Sequence, residues 1–172
     1  MSDEQRTVTM HGTPVSLAGT PVREGDKAPD FEAAGNDMAP VRLSDFAGNA
    51  VVLLSVPSLD TPVCDQEARR FNKEAADLGA DVVVLVVSMD LPFAQQRWCG
   101  GNGIDRVIAV SDYKTAEFGR SYGVLMEDAR LLARAVWVLD PDGVVQHCEL
   151  VPEITEEPDY DAALAAARKL QS

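Results

Sequence analysis

The sequence predicts an α/β layer fold: a mixed central sheet flanked by helices, with a β-hairpin ahead of it. Three observations lead there. Two continuous β-branched runs, "AVVLLSV" (50–56) and "DVVVLVVS" (81–88), have the composition of central strands covered on both faces. Between them Cys64, Ala68, Phe71, Ala75 and Leu78 recur at helical spacing, which makes the unit βαβ. Further on, "ARAVWVLD" and "VVQHCELV" are separated only by "PDG", a hairpin rather than a crossover.

The remaining elements follow in order. "TVTMHGTPVSLAG" alternates apolar and polar residues around "HGTP" and reads as a small leading β-hairpin. "VREGDKAPDFEAAGNDMAPVRLSDF" is rich in turn residues and is expected to wind over the surface as short extended pieces. After the βαβ unit come a short helix around "PFAQQRWCGG", a strand "RVIAVS", a helix near "TAEFGRSYG" and the hairpin. A closing helix has Pro158 near its start and Tyr160, Ala163, Leu164, Ala167 and Leu170 on one face. Strands alternating with helices, then a hairpin and a closing helix, describe a mixed sheet of the thioredoxin type.

At 172 residues the chain suits one domain, spanning 1–172, large enough to bury its own core. Its 46% apolar and 25% charged residues match globular proteins and argue against disorder. A formal charge of -13, with no run of Lys or Arg, disfavours nucleic acid and anionic membranes as partners. The polar, acidic start "MSDEQRTVTM" has no apolar segment of signal-peptide length, so a cytoplasmic location is expected. Cys64, Cys99 and Cys148 show no CxxC spacing, and His11 and His147 stand isolated, so neither a metal site nor a cofactor is expected.

The apolar run of the first strand ends at "SVPSLDTPVC". Thr61 followed by Pro62 signals a helix start, with Thr as N-cap and Pro at the first helical position. Cys64 then occupies the third position, beside unpaired backbone N–H groups at the positive end of the helix dipole. A free thiol has a pKa of about 8.5, and such surroundings can lower it to roughly 3.5–7.5. Asp65 and Glu67 in the same turn oppose that effect, so a cation must arrive from elsewhere in the fold. The alternative is plain: Cys64 continues the apolar stripe of its helix, and free cysteines are often buried hydrophobes.

The stretch "PSLDTPVC" resembles the peroxiredoxin signature Pro-x-x-x-Thr-x-x-Cys, with Pro57, Thr61 and Cys64 on its defining positions. The resemblance covers nearly the whole chain and is strongest to the thiol peroxidase subfamily, through "GDKAPDF", "SMDLPFAQQRWCG", "ARAVWVLD" and "EITEEPDYDAAL". It implies that Cys64 is the peroxidatic cysteine, that Thr61 orients thiolate and peroxide, that Pro57 shields the pocket, and that Arg134 is the missing cation. It also implies that Cys99 is the resolving cysteine, forming an intramolecular disulfide with Cys64 that thioredoxin reduces. Alkyl and lipid hydroperoxides as well as hydrogen peroxide are the implied substrates, and a homodimer the implied assembly. Pro62 departs from the glycine expected there. Cys148 matches no role and reads as a structural thiol.

Several readings rest on the residues around these positions. Leu59, Phe93 and Trp98 could line an apolar substrate pocket or belong to the core. Gly100, Gly101 and Gly103 would make local unwinding beside Cys99 inexpensive. Two other functions fit the same fold: a protein disulfide oxidoreductase, against which the lack of CxxC argues, and a redox sensor or chaperone.

Overall fold

A computed structural model of the chain describes residues 6–79, 81–102 and 106–170. The leading hairpin pairs β1 (Thr7–Met10) with β2 (Thr13–Ser16). Its two turn residues, His11 and Gly12, have φ of 51° and 80°, the left-handed pair that a type I′ turn requires. Then follow β3 (Glu32–Ala34), β4 (Pro40–Arg42), a 3-10 turn (Leu43–Phe46), β5 (Ala50–Ser55), α1 (Pro62–Leu78) and β6 (Val82–Ser88). The second half runs α2 (Pro92–Asn102), β7 (Val107–Ser111), α3 (Glu117–Ser121), β8 (Leu125–Met126), β9 (Leu131–Leu132), β10 (Ala135–Leu139), β11 (Val145–Leu150) and α4 (Tyr160–Arg168).

Seven strands form one sheet in the order β11-β10-β5-β6-β7-β3-β4. β5, β6 and β7 run parallel, as the βαβ reading requires, and the β10–β11 hairpin adds antiparallel strands beside β5. The sheet is mixed because a hairpin and a crossover unit feed the same edge-to-edge array. One expectation needs correcting. The turn-rich stretch after the leading hairpin does not stay outside the sheet: β3 joins β7 through Ala34 and Ser111, and β4 closes that edge. Three-residue strands are too short to show a period, which hides them in the sequence. For the same reason the two-residue pair β8–β9 went unpredicted. α3 occupies only five residues of the expected helix, and Ala116 before it takes a left-handed conformation.

The central strands bury both faces, and their alternation divides the core in two. Val51, Leu53, Leu85 and Val87 face Phe31, Phe118, Tyr122 and Trp137. Those four rings pack with centroids 4.5–5.9 Å apart, mostly edge to face. Val52, Leu54, Val84 and Val86 face the other way, against Ala68 and Phe71 of α1, Trp98 of α2 and Leu164 of α4. α4 is capped by Asp159, whose carboxylate accepts from the Ala162 N–H, with Pro158 just ahead. Cys64 lies on this second, helix-covered side.

Phe118 sits at the centre of the aromatic cluster with no exposed surface. Phe118→Ala should lower the unfolding free energy by about 3–5 kcal/mol in urea titrations followed by circular dichroism.

Candidate active site

α1 begins as its sequence requires. Pro62 occupies the first helical position, Thr61 before it is extended at φ −91° and ψ 148°, and Cys64 is third. The cap itself differs from expectation. The Thr61 hydroxyl makes no bond to the helix and instead donates to the Ser58 carbonyl at 2.9 Å. The turn that delivers the chain from β5 into α1 claims it: the Thr61 N–H also donates to Ser58 O, at 3.2 Å. Pro57, where the chain leaves β5, is buried.

The cation arrives from the far side of the sheet's parallel core. Arg134 immediately precedes β10, and alternation puts it on the same face as Val136 and Val138, toward α1. Its Nη2 donates to Cys64 Sγ at 3.1 Å, its Nη1 to Glu67 Oε2 at 2.6 Å, and its Nε to the Ile154 carbonyl at 2.9 Å. All three side chains are closed to solvent: Cys64 and Glu67 are 0% exposed and Arg134 2%. Cys64 and Arg134 thus meet across 70 positions of chain.

By sequence alone Glu67 is a carboxylate that works against the thiolate. In the structure it lies one turn on from Cys64 and pairs with Arg134 instead. Full burial pushes its carboxyl up to about 7, although the Arg134 charge and hydrogen bond pull the other way. Arg134 is moved upward: burial disfavours its charge, but Glu67 and Cys64 together outweigh that. Among the described residues Glu67 Oε1 has no hydrogen-bond partner. Asp65, the other suspected opponent, accepts from Trp98 Nε1 at 2.8 Å and from Arg69 at 2.9 Å.

The resolving candidate lies on the neighbouring helix. Cys99 is half-buried near the end of α2 and packs against the same core cluster as Cys64. Burial pushes its thiol up. Both cysteines are free thiols. The Asp65–Trp98 bond joins the residues that directly follow Cys64 and precede Cys99. Gly100 and Gly101 fall in the last turn of α2; Gly103 lies outside the described residues.

The three residues weighed as pocket or core divide. Leu59 and Trp98 are core residues beside Cys64, whereas Phe93 is 65% exposed on the outer face of α2. Cys148 packs in the aromatic half of the core, where burial and the neighbouring Glu24 and Glu149 push its thiol up to about 11. Its Sγ lies 3.3 Å from the Val22 carbonyl. Among the described residues there is no metal-ligating cluster, and no helix is long and apolar enough to cross a membrane.

Folding raises the Glu67 carboxyl above its ordinary range, so its contribution to stability is complete below about pH 4.5 and is lost as pH rises through about 7. Glu67→Gln removes this dependence. Melting temperatures measured from pH 5 to pH 8 should fall more steeply for the wild type than for the variant.

Residues 23–164 match the redoxin family. The chain is 50% identical over 163 residues to a thiol peroxidase of Staphylococcus aureus, covering 95% of this chain and 98% of that one. It is 51% identical over the same span to a thiol peroxidase of Staphylococcus haemolyticus, with the same coverage. Among solved structures, a peroxiredoxin-like protein from Aquifex aeolicus superposes with a TM-score of 0.89 at 40% identity, covering 96% of this chain and 97% of that one. With a buried cysteine–arginine pair at the head of its first helix and these relatives matched nearly end to end, the chain belongs to the redoxin family, and within it to the thiol peroxidases.

Proposed function

We propose that this thiol peroxidase reduces hydroperoxides through Cys64, with Cys99 as resolving thiol and thioredoxin as the dithiol reductant. The observation that carries the reading is Arg134 Nη2 at 3.1 Å from Cys64 Sγ, at a helix N-terminus. Guanidinium donors and backbone dipoles aimed at one sulfur stabilise negative charge there and on an oxygen approaching it.

In the first step the Cys64 thiolate attacks one peroxide oxygen. The S–O bond forms as the O–O bond breaks, and the electron pair leaves with the second oxygen, which takes a proton and departs as alcohol or water. The sulfur becomes a sulfenic acid. The Cys99 sulfur then attacks it, the S–S bond forms, and the hydroxyl leaves with the Cys99 proton as water. A dithiol partner returns two electrons by exchange.

The closed geometry supports a conformational step. Cys64 is fully buried, so a hydroperoxide reaches it only by displacing neighbouring groups. A disulfide needs Cα atoms within about 7 Å, and the Asp65–Trp98 bond between the two helices must yield as they rearrange. Gly100 and Gly101 lower the cost of unwinding α2 at that end. Leu91 and Phe93, exposed at the head of α2, offer an apolar face for the second subunit of a homodimer. With its acidic charge and thiol chemistry, the protein belongs in the reducing cytoplasm.

Mass spectrometry with thiol alkylation, after one equivalent of cumene hydroperoxide, tests the roles. Wild type should lose two hydrogens with Cys64 and Cys99 bridged, Cys99→Ser should trap a sulfenic acid, and Cys64→Ser should not react rapidly. A Cys64 that stays reduced in the folded wild type removes the assignment. Turnover with thioredoxin should give a higher kcat/KM for cumene hydroperoxide than for hydrogen peroxide; the reverse order would discard the preference for organic substrates.

A further inference from the structure

Asp90 lies between β6 and α2, and its carboxylate gathers three hydrogen bonds. Oδ1 accepts from the Ser58 hydroxyl at 2.7 Å; Oδ2 accepts from the Leu59 N–H at 2.8 Å and from the Ser88 hydroxyl at 2.7 Å. Two of these three donors belong to the turn that leads into α1. The third fixes the carboxylate to the end of β6, where Ser88 is fully buried and also receives Gln95 Nε2 at 3.0 Å. The Asp90 backbone is anchored as well, its carbonyl accepting from Ser111 Oγ at 2.5 Å. The turn therefore hangs on a carboxylate held by the sheet.

Donor direction in this chain of bonds is forced. A carboxylate and a carbonyl only accept, so Ser58 must donate its hydroxyl proton to Asp90, and Thr61 must donate its own to Ser58 O. With its proton committed, the Thr61 oxygen has only lone pairs left to offer. A hydroperoxide carries a hydrogen on one oxygen, so a neighbouring group that can only accept selects one orientation of the O–O bond.

We propose that Asp90 is a positioning residue for the peroxide step: by holding Ser58 and Leu59 it keeps the Ser58 carbonyl on the Thr61 hydroxyl and so leaves the Thr61 oxygen as an acceptor for the peroxide hydrogen. The inference rests on the role proposed above for Cys64 and on the peroxide-orienting role that the resemblance implies for Thr61. Asp90 acts through the turn and has no part in the chemistry at sulfur.

The test compares two reactions of Cys64 by stopped-flow and timed alkylation: oxidation by cumene hydroperoxide, which needs an oriented O–O bond, and alkylation by iodoacetamide, which does not. Asp90→Ala should slow oxidation about tenfold, the scale of one lost charged hydrogen bond, while alkylation stays within about twofold. Asp90→Asn, which still accepts from Leu59, should recover most of the rate. Ser58→Ala removes only the hydroxyl link and should cost about threefold in oxidation alone, which keeps the idea testable if Asp90→Ala does not fold. Unchanged oxidation in a folded variant, or equal losses in both reactions, would overturn the proposal. Cys64→Ser serves as the separate control: rapid peroxide consumption by that variant would remove the underlying roles rather than Asp90's.

Discussion

A guanidinium sealed inside the protein is the constraint around which the rest is arranged. Burying a charge is expensive unless it is paired and its donors are satisfied. Arg134 meets that demand with three partners from two places: Cys64 and Glu67 one turn apart on α1, and the Ile154 carbonyl from the segment after β11. That segment is in turn clamped by the leading hairpin. Thr9 N–H donates to Pro152 O at 2.7 Å, Ile154 N–H donates to Thr9 O at 2.9 Å, and Glu153 accepts from Thr9 Oγ1 and Gly12 N–H. A hairpin that looks like an appendage thus fixes the carbonyl that aims the arginine at the sulfur.

The same arrangement gives each carboxylate around Cys64 a partner of its own. Glu67 spends its charge on Arg134, and Asp65 spends its own on Trp98 and Arg69. An acid near a thiol counts against the thiolate only in proportion to what it leaves unneutralised. The buried pair therefore works as a unit, with Glu67 orienting the guanidinium and the guanidinium orienting toward sulfur.

Much of this was legible in the sequence where a period or a covalent rule applies. The β-branched runs, the α1 stripe and the Thr61–Pro62 start each follow from local physics, and the family resemblance supplied Arg134. What stayed hidden depends on long-range pairing. Nothing local distinguishes Glu67 as a partner of Arg134 from Glu67 as an opponent of Cys64, because Glu67 and Arg134 are 67 positions apart and meet only when α1 packs on the sheet. Thr61 holds the N-cap position that its type and place predict, yet its hydroxyl turns to donate to Ser58 O and accepts nothing from the helix. Asp90 carried no signal at all; its importance comes from three donors converging in space.

The division of the core by the sheet bears on the third cysteine. Trp137 and Cys148 face each other across the β10–β11 ladder and belong to the aromatic half, whereas Cys64 and Cys99 belong to the helix-covered half. Cys64 thus has one thiol on its own side of the sheet and another screened by a layer of backbone. Fidelity of pairing is consequently built into the topology: three cysteines in one chain permit three bridges, and the sheet leaves a direct path for only one of them.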